Sequence, residues 1–138
     1  MLRSLFLLAL FATAADAQTD ALEAAFAATA LKTEAHGGTV VVAPVVGMSE
    51  AFGLPTTHRV DLEAGTEYYL MLACEEGSGL DPDVTVFSPD GDLVAIGEDV
   101  GEGEVVLFTA NTSGTYTLDT VVYECDDSCS YGFMIATQ

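Results

Sequence analysis

The spacing of apolar residues changes near residue 38, where a helical pattern gives way to strand patterns. Between residues 19 and 35, Leu22, Phe26 and Ala30 recur at every fourth position, which is the spacing of one helical face. Thr19 is a capping-type residue at the start of this segment, and a glycine pair follows its end. The pattern predicts a short leader helix, which lies on the following domain or frays; a partner-binding helix is the alternative.

The remaining chain reads as about eight short strands. Apolar and polar residues alternate in each segment, and Gly, Pro, Asn, Asp and Ser residues separate the segments. Short strands at a spacing of about 8 to 12 residues indicate an all-β fold, an antiparallel β-sandwich of Greek-key or jelly-roll type. The segments are 39–47, 58–62, 67–74, 83–87, 92–96, 104–110, 115–124 and 130–137.

Turn residues predict how some of these strands are connected. The sequence Glu-Ala-Gly-Thr after Leu62 predicts a hairpin between the second and third strands, and Ser88-Pro-Asp-Gly predicts another between the fourth and fifth. Cys125-Asp-Asp-Ser-Cys129 stands where a last hairpin should turn. Pro44 inside the first strand indicates an edge strand or a bulge.

One phase of the alternating strands should form the core. Residues two positions apart share a face of a strand, so the more apolar set is expected to be buried. The expected core residues are Tyr68, Leu70, Leu72, Val84, Val86, Leu93, Leu107, Tyr116, Leu118, Phe133 and Ile135. His58 falls on the apolar face of its strand, where a histidine satisfied by hydrogen bonds is the expectation.

The first seventeen residues have the pattern of a secretory signal peptide. Arg3 precedes an apolar run from Leu5 to about Ala12, and Ala15-Asp16-Ala17 is a small-residue cleavage motif. The apolar run is shorter than the ~20 residues that a membrane-spanning helix requires. We therefore expect a signal peptide at 1–17, a helical leader at 18–38 and a β-sandwich domain at 39–138, without membrane insertion and with a periplasmic or secreted location.

The charge of the chain excludes one class of partner. Cleavage after residue 17 removes Arg3 and Asp16, which leaves Lys32 and Arg59 against all the other acidic residues and keeps the net charge at −19. Such a surface repels phosphate groups and anionic lipids, so nucleic acid is excluded as a partner. The charge keeps an exported protein dispersed, or it attracts cations or basic partners.

Four sequence blocks resemble the bacterial pre-peptidase C-terminal domain. They are VDLEAGTEYYLML, LDPDVTVFSPDGDLVAI, LFTANTSGTYTLDTV and SYGFMIA, and they cover about Thr57 to Thr137. The resemblance implies a secreted β-sandwich, usually attached to exported peptidases. No peptidase domain accompanies the sandwich here, and most of the matching residues form turns, so the resemblance supports the fold more than a function.

The three cysteines allow at most one intramolecular disulfide and leave one thiol over. A bridge between Cys125 and Cys129 would close a small loop in an oxidising compartment. The alternative pairs Cys74 with one of these two. A zinc site is not expected from three cysteines without a suitably placed histidine.

Motifs of catalysis are missing from the sequence. It contains no Gly-x-Ser-x-Gly, no His-Glu-x-x-His and no phosphate-binding glycine loop. It also has no tryptophan that could form the floor of a sugar-binding subsite. His36 and His58 are the only histidines, and for His58 a residue satisfied by hydrogen bonds is expected rather than a general base. We therefore expect that the protein is not an enzyme, and the sequence identifies no cofactor with certainty.

Acidic loops are the candidates for a metal site. Calcium binds six to eight oxygen ligands, and loops at one end of a sandwich can supply them. The resemblance adds that some family members bind calcium through such loops, with Asp81 and Asp83 matching and the N-terminal ligands unmatched. Solvated turns are the alternative. The candidate calcium ligands are Asp81, Asp83, Asp90, Asp92, Glu98 and Asp99.

Three functions remain open on this sequence. The first is an exported non-catalytic binding module of the cell envelope or secretome, with a protein or an extracellular polymer as partner. The second is a structural or stress-related envelope protein without a dedicated ligand. The third, an accessory factor of an exported peptidase, follows only from the family resemblance.

Overall fold

The computed structural model describes the backbone of residues 14–50 and 53–138, with side chains from residue 19. In these two ranges, one helix precedes eight strands. The elements are α1 (Ala14–Ala35), β1 (Thr39–Met48), β2 (Thr56–Leu62), β3 (Glu67–Cys74), β4 (Asp81–Phe87), β5 (Leu93–Gly97), β6 (Gly103–Thr109), β7 (Gly114–Tyr123) and β8 (Ser130–Thr137). Most of the predicted signal peptide, including Arg3 and the apolar run, lies outside the described residues.

Two four-stranded antiparallel sheets form a β-sandwich, as the alternation pattern predicted. Sheet A has the strand order β1-β8-β3-β6, and sheet B has the order β2-β7-β4-β5. β1 pairs with β8, β2 with β7, β3 with β6 and β4 with β5. This nested pairing is the jelly-roll arrangement of two packed sheets.

Only one of the expected hairpins is present. β4 pairs with β5 across the Ser88–Asp92 turn, so this prediction is confirmed. β2 and β3 lie in different sheets, and so do β7 and β8, so the other two hairpin predictions are wrong. Turn residues reverse the chain, but they do not determine whether the next strand joins the same sheet or the facing one.

Nine of the eleven expected core residues are buried between the sheets. Leu107 is 54% exposed because Val106 and Phe108, in the opposite phase of β6, point inward instead. Leu93 is 57% exposed and begins β5 beside a register irregularity at Phe87, where strict alternation fails. The prediction for Leu107 is wrong because β6 is apolar in both phases, and that for Leu93 is wrong because the alternation is irregular at the start of β5.

β1 is an edge strand of sheet A with two irregularities in its register, between Val40 and Val42 and between Val42 and Val45. Pro44 lies within the second irregularity, where no ladder donor is required. The prediction of an edge strand or a bulge at Pro44 is therefore confirmed in both of its forms.

Helix α1 packs on the outer face of sheet A, against β1 and β8. Leu22 and Phe26 are buried there with Met134 and Ala136, in a small second core. Gly132 makes the contact close, because a Cβ at this position would lie 2.6 Å from the Phe26 ring. The helix begins five residues before the predicted Thr19, since the preceding alanines favour a helix.

Candidate functional site

The six candidate calcium ligands lie at two opposite ends of the β4–β5 hairpin. Asp81 and Asp83 are at the start of β4, and Glu98 and Asp99 follow the end of β5 on the neighbouring strand. Asp90 and Asp92 are in the turn at the far end. The structure therefore brings together four of the six residues and separates the other two. We call the Asp81 end, with Glu102 and Glu104, the acidic end.

Two carboxylates of the acidic end accept hydrogen bonds from backbone N–H groups of the neighbouring loops. Glu102 accepts hydrogen bonds from Gly77 N at 2.8 Å and Gly79 N at 2.7 Å, which lower the pKa of this carboxyl group. Asp81 Oδ1 accepts a hydrogen bond from Gly101 N at 3.0 Å. Glu102 and Asp81 thus fix the 75–80 and 98–102 loops, and much of their bonding capacity serves this role.

Glu104 is the buried carboxyl group of the acidic end, with 9% of its surface exposed. Its Oε2 accepts a hydrogen bond from Asp99 N at 3.3 Å, while Oε1 is buried without a partner among the described residues. Gly97 provides the space, because a Cβ there would overlap Oε1. Burial, and then the charges of Asp83, Asp99 and Asp81, raises the pKa of Glu104.

Asp83 is also shifted toward its neutral form. Burial raises the pKa of its carboxyl group first, and the charges of Asp81 and Glu98 add to the shift. Within residues 14–50 and 53–138, no group of three or more His, Cys, Asp or Glu side chains is close enough to hold a metal ion. Calcium binding by these residues stays a prediction.

The Ser88–Asp92 segment is a hydrogen-bonded hairpin turn. Ser88 N donates to Asp92 O at 2.8 Å, and Gly91 N donates to Ser88 O at 2.9 Å. Asp92 N also donates to the Ser88 hydroxyl at 3.1 Å, and Gly91 has a φ of 87°, which favours glycine. The Asp90 and Asp92 side chains are exposed, as those of a solvated turn are.

Of the two pairings expected for the cysteines, the structure has the one between Cys125 and Cys129. The sulfur atoms of Cys125 and Cys129 lie at disulfide distance, 2.10 Å, within the connection from β7 to β8. Ser49 ties this loop to the end of β1, since Ser49 N donates to Cys129 O at 2.8 Å. Cys74 is free and buried, and burial with the charges of Asp81 and Glu102 raises its pKa to about 12.

His58 lies on the inner side of β2, as its strand position predicted. Its Nε2 is hydrogen-bonded to the Tyr131 hydroxyl, and its ring centroid is 4.8 Å from that of Phe133. Burial lowers the pKa of His58. The expectation of a histidine satisfied by hydrogen bonds is confirmed.

A groove that the sequence did not reveal runs beside α1 on the outer face of sheet A. The helix covers β8 but leaves β3 and β6 partly open, which forms a groove of about 590 Å³. Its floor is Met71 and Ala73 of β3, its helix wall includes Ala25 and Phe26, and Val105 of β6 forms the other side. We call this space the helix groove. The available signal was that β3 and β6 are apolar in both phases.

Carboxylates lie at one end of the helix groove. Glu75 and Glu76, directly after β3, line it, and no lysine, arginine or histidine is among the described residues that do so. Most of the surface inside the groove is apolar. The volume is within the range of ~300 to 1,000 Å³ that is usual for ligand sites, so the groove can take an apolar group of substantial size.

The fold is similar to a solved pre-peptidase C-terminal domain, that of a collagenase from Bacillus anthracis. The TM-score is 0.54 at 14% identity, over 68% of this chain and 88% of that domain. At this identity the similarity shows a shared β-sandwich fold. The family resemblance of the sequence is thus supported at the level of the fold.

Two further similarities are weaker. A structure of infectious bursal disease virus, Gx strain, has a TM-score of 0.38 at 15% identity, over 72% of this chain and 32% of the viral chain. A structure of accessory secretory proteins 1, 2 and 3 from Streptococcus pneumoniae has a TM-score of 0.37 at 16% identity, over 74% of this chain and 85% of that chain. Neither score supports a conclusion about this protein.

No protein-family model matches the chain, and no curated protein is similar to it in sequence. In the part of the chain that the structure describes, no helix has both the length and the apolar composition to cross a lipid bilayer.

Proposed function

We propose that this chain is an exported, non-catalytic binding module that holds its ligand in the helix groove. The observation that carries the proposal is the groove itself, a mostly apolar space of about 590 Å³ between α1 and sheet A. A groove with an apolar floor and a few charged groups at its end is typical of binding sites. The ligand is a protein or an extracellular polymer.

The state of the reactive side chains supports a role without catalysis. His58 is turned toward Tyr131 inside the sandwich, and its lowered pKa keeps the imidazole neutral at pH 7. Cys74 is buried with a pKa of about 12, so its nucleophilic thiolate form is scarce at neutral pH. Cys74 therefore lacks the thiolate that a nucleophile requires, and the partner of His58 Nε2 is the Tyr131 hydroxyl inside the sandwich.

Export is supported by the cleavage motif at Ala15-Asp16-Ala17 and by the cysteine pair at disulfide distance. Mass spectrometry of the protein recovered from the periplasm or medium should give Gln18 as the first residue. It should also give one alkylated cysteine per unfolded, unreduced chain. A mature protein that retains the apolar run from Leu5 to Ala12 would contradict export by cleavage.

The binding role is tested by capture from the envelope and secreted fractions with the immobilised exported protein. A ligand of the groove should be retained by the wild type and by Val100→Lys, and lost with Val105→Lys. Val105 lines the groove, whereas Val100 is in an exposed loop and is 94% exposed, so the two variants share the same charge change.

The other two functions give different results in the same experiment. A structural envelope protein without a ligand retains nothing that distinguishes the two variants. A peptidase accessory factor retains an exported peptidase. Equal capture by wild type, Val100→Lys and Val105→Lys would remove the helix groove as the binding site.

A further inference from the structure

We infer that the occupant of the helix groove is a cationic amphipathic polypeptide segment, in which apolar side chains alternate with lysine or arginine. The inference rests on the function proposed above and adds the chemistry of the partner. Three properties of the groove carry it, namely its apolar floor, the carboxylates at one end of it and its elongated shape.

The apolar floor requires apolar side chains from the partner. Met71 and Ala73 are only half-buried by α1, and Val105, beside them on β6, is 61% exposed. Leu107 extends the same outer face and is 54% exposed. Covering apolar surface favours association, so these residues favour a partner with several aliphatic groups.

The carboxylates at one end of the helix groove require positive charge from the partner. Glu75 and Glu76 line the groove, and the whole chain has a net charge of −19. A fatty acid or an anionic lipid would meet repulsion from both the groove and the surrounding surface. Lysine or arginine beside the apolar groups converts this repulsion into attraction and speeds association at low salt.

The shape favours a chain segment over a compact ligand. A second apolar hollow of about 200 Å³ continues along β3, and the two spaces share Met71. Tyr69 lies in this second hollow, near His36 at the far end of α1. The floor therefore follows β3 from Ala73 to Tyr69, and a peptide lying along it contacts both hollows at once.

The test measures fluorescence anisotropy of two labelled peptides added to the exported protein. One peptide contains leucine and lysine, and its counterpart has glutamate in place of each lysine. We expect saturable one-to-one binding of the first peptide, weakened by salt, and no binding of the second. Failure of the leucine-lysine peptide to reach saturation, or equal binding of both peptides, overturns the inference.

Matched variants separate the groove from general charge attraction. Val105→Lys should weaken binding about tenfold or more and Val100→Lys less than about twofold, because only the first places a charge in the groove. Glu76→Lys should weaken it about fivefold, and Glu63→Lys, in the loop after β2, should have little effect. Equal losses within either pair overturn the inference.

A second copy of the chain is the competing occupant. Sedimentation velocity distinguishes it, since a wild type that is dimeric and a Val105→Lys variant that is monomeric would overturn the peptide inference. The capture experiment stays separate from this test. A groove-dependent partner without basic residues would contradict only the cationic chemistry, whereas capture without groove dependence would contradict the proposed function.

Discussion

The two outer faces of the sandwich differ in chemistry although both belong to four-stranded antiparallel sheets. The outer face of sheet A carries Met134 and Ala136, which α1 covers, and Val105 and Leu107, which it leaves exposed. On the outer face of sheet B, the half formed by β2 and β7 carries threonine and aspartate side chains. These two strands are joined by hydrogen bonds between threonines and aspartates, of which Thr57 Oγ1 to Asp119 Oδ1 is 2.6 Å long.

This difference identifies the face of the sandwich on which a ligand can bury apolar surface. Cross-strand polar pairs on sheet B satisfy one another and face water, as expected for a solvated sheet face. Sheet A instead has apolar residues on both faces of β8, which is buried almost throughout, and a helix that covers only part of the outer side. The uncovered part of sheet A therefore combines exposed apolar side chains with a groove.

The largest expected effect comes from comparing two truncations: that of a phenylalanine of α1 packed on the outer face of sheet A, and that of a phenylalanine on the outer face of sheet B. Phe26→Ala should lower the free energy of unfolding by about 3 kcal/mol, because this ring is 5% exposed and packs on sheet A. Phe87→Ala, on the half-buried outer side of β4 in sheet B, should cost about 1 kcal/mol. Urea denaturation monitored by circular dichroism measures both, and equal losses would end the distinction between the faces.

A smaller effect should follow when the helix is pushed away from its sheet. Gly132→Val places side-chain atoms against the Phe26 ring and should cost about 2 kcal/mol. Gly47→Val is the control, since a Cβ at Gly47 would have no neighbour within 4 Å. Combining Gly132→Val with Phe26→Ala should recover about 1 kcal/mol of the summed losses. Strict additivity in this double-mutant cycle would show that the two residues do not meet.

Acid should act on the two carboxyl groups of the acidic end whose pKa is raised, Glu104 and Asp83. The folded state raises the pKa of Glu104 and Asp83 above their ordinary values of 4.5 and 3.8, so it binds protons more tightly than the unfolded chain does. Their contribution to stability therefore increases as the pH falls toward those values and decreases as the pH rises. His58 has a lowered pKa, so its contribution is complete above 6.5 and is lost on acidification.

Glu104→Gln isolates the first of these contributions. The variant should be more stable than the wild type by about 1 kcal/mol at pH 7, and the difference should disappear near pH 4. Glu63→Gln, in the loop after β2, controls for the change in net charge. Thermal unfolding at several pH values gives both curves, and a Glu104→Gln variant that is less stable at pH 7 would refute this explanation.

Calcium should have the smallest effect. Because the six candidate ligands are divided between the two ends of the hairpin, we expect calcium, magnesium and sodium at matched ionic strength to give thermal midpoints within about 2 °C. A calcium-specific rise that Asp83→Asn abolishes and Asp90→Asn does not would instead establish a site at the acidic end alone.

Local patterns predicted the elements well because alternation and turn residues act over a few positions. The eight strands, the turn at Ser88–Asp92 and the inward side of His58 all follow from such patterns. The assignment of a strand to one sheet does not, because both choices bury the same side chains. The hairpin expected between β2 and β3 failed for that reason.

The candidate site was harder to predict from the sequence than the strands were. Asp81 and Asp90 are nine positions apart in the chain, but β4 separates them in space. In β6, Val105 and Val106 are equally apolar, so the sequence could not say which one faces the core. The helix groove depends on that choice and on where α1 lies, and both are properties of the assembled sandwich.

The turn at Ser88–Asp92 lies at the centre of the nested strand pairing, and this has a consequence for the order of folding. Phe87 and Leu93 of β4 and β5 are the paired residues closest in the chain, Ala73 and Gly103 of β3 and β6 are further apart, and Thr39 and Thr137 of β1 and β8 are the furthest apart. Each later pair closes a longer loop, so its entropic cost is greater unless the inner pairs have already formed. Strand pairing can thus proceed outward from this turn. Substitutions that disrupt Asp90-Gly91 should therefore slow folding.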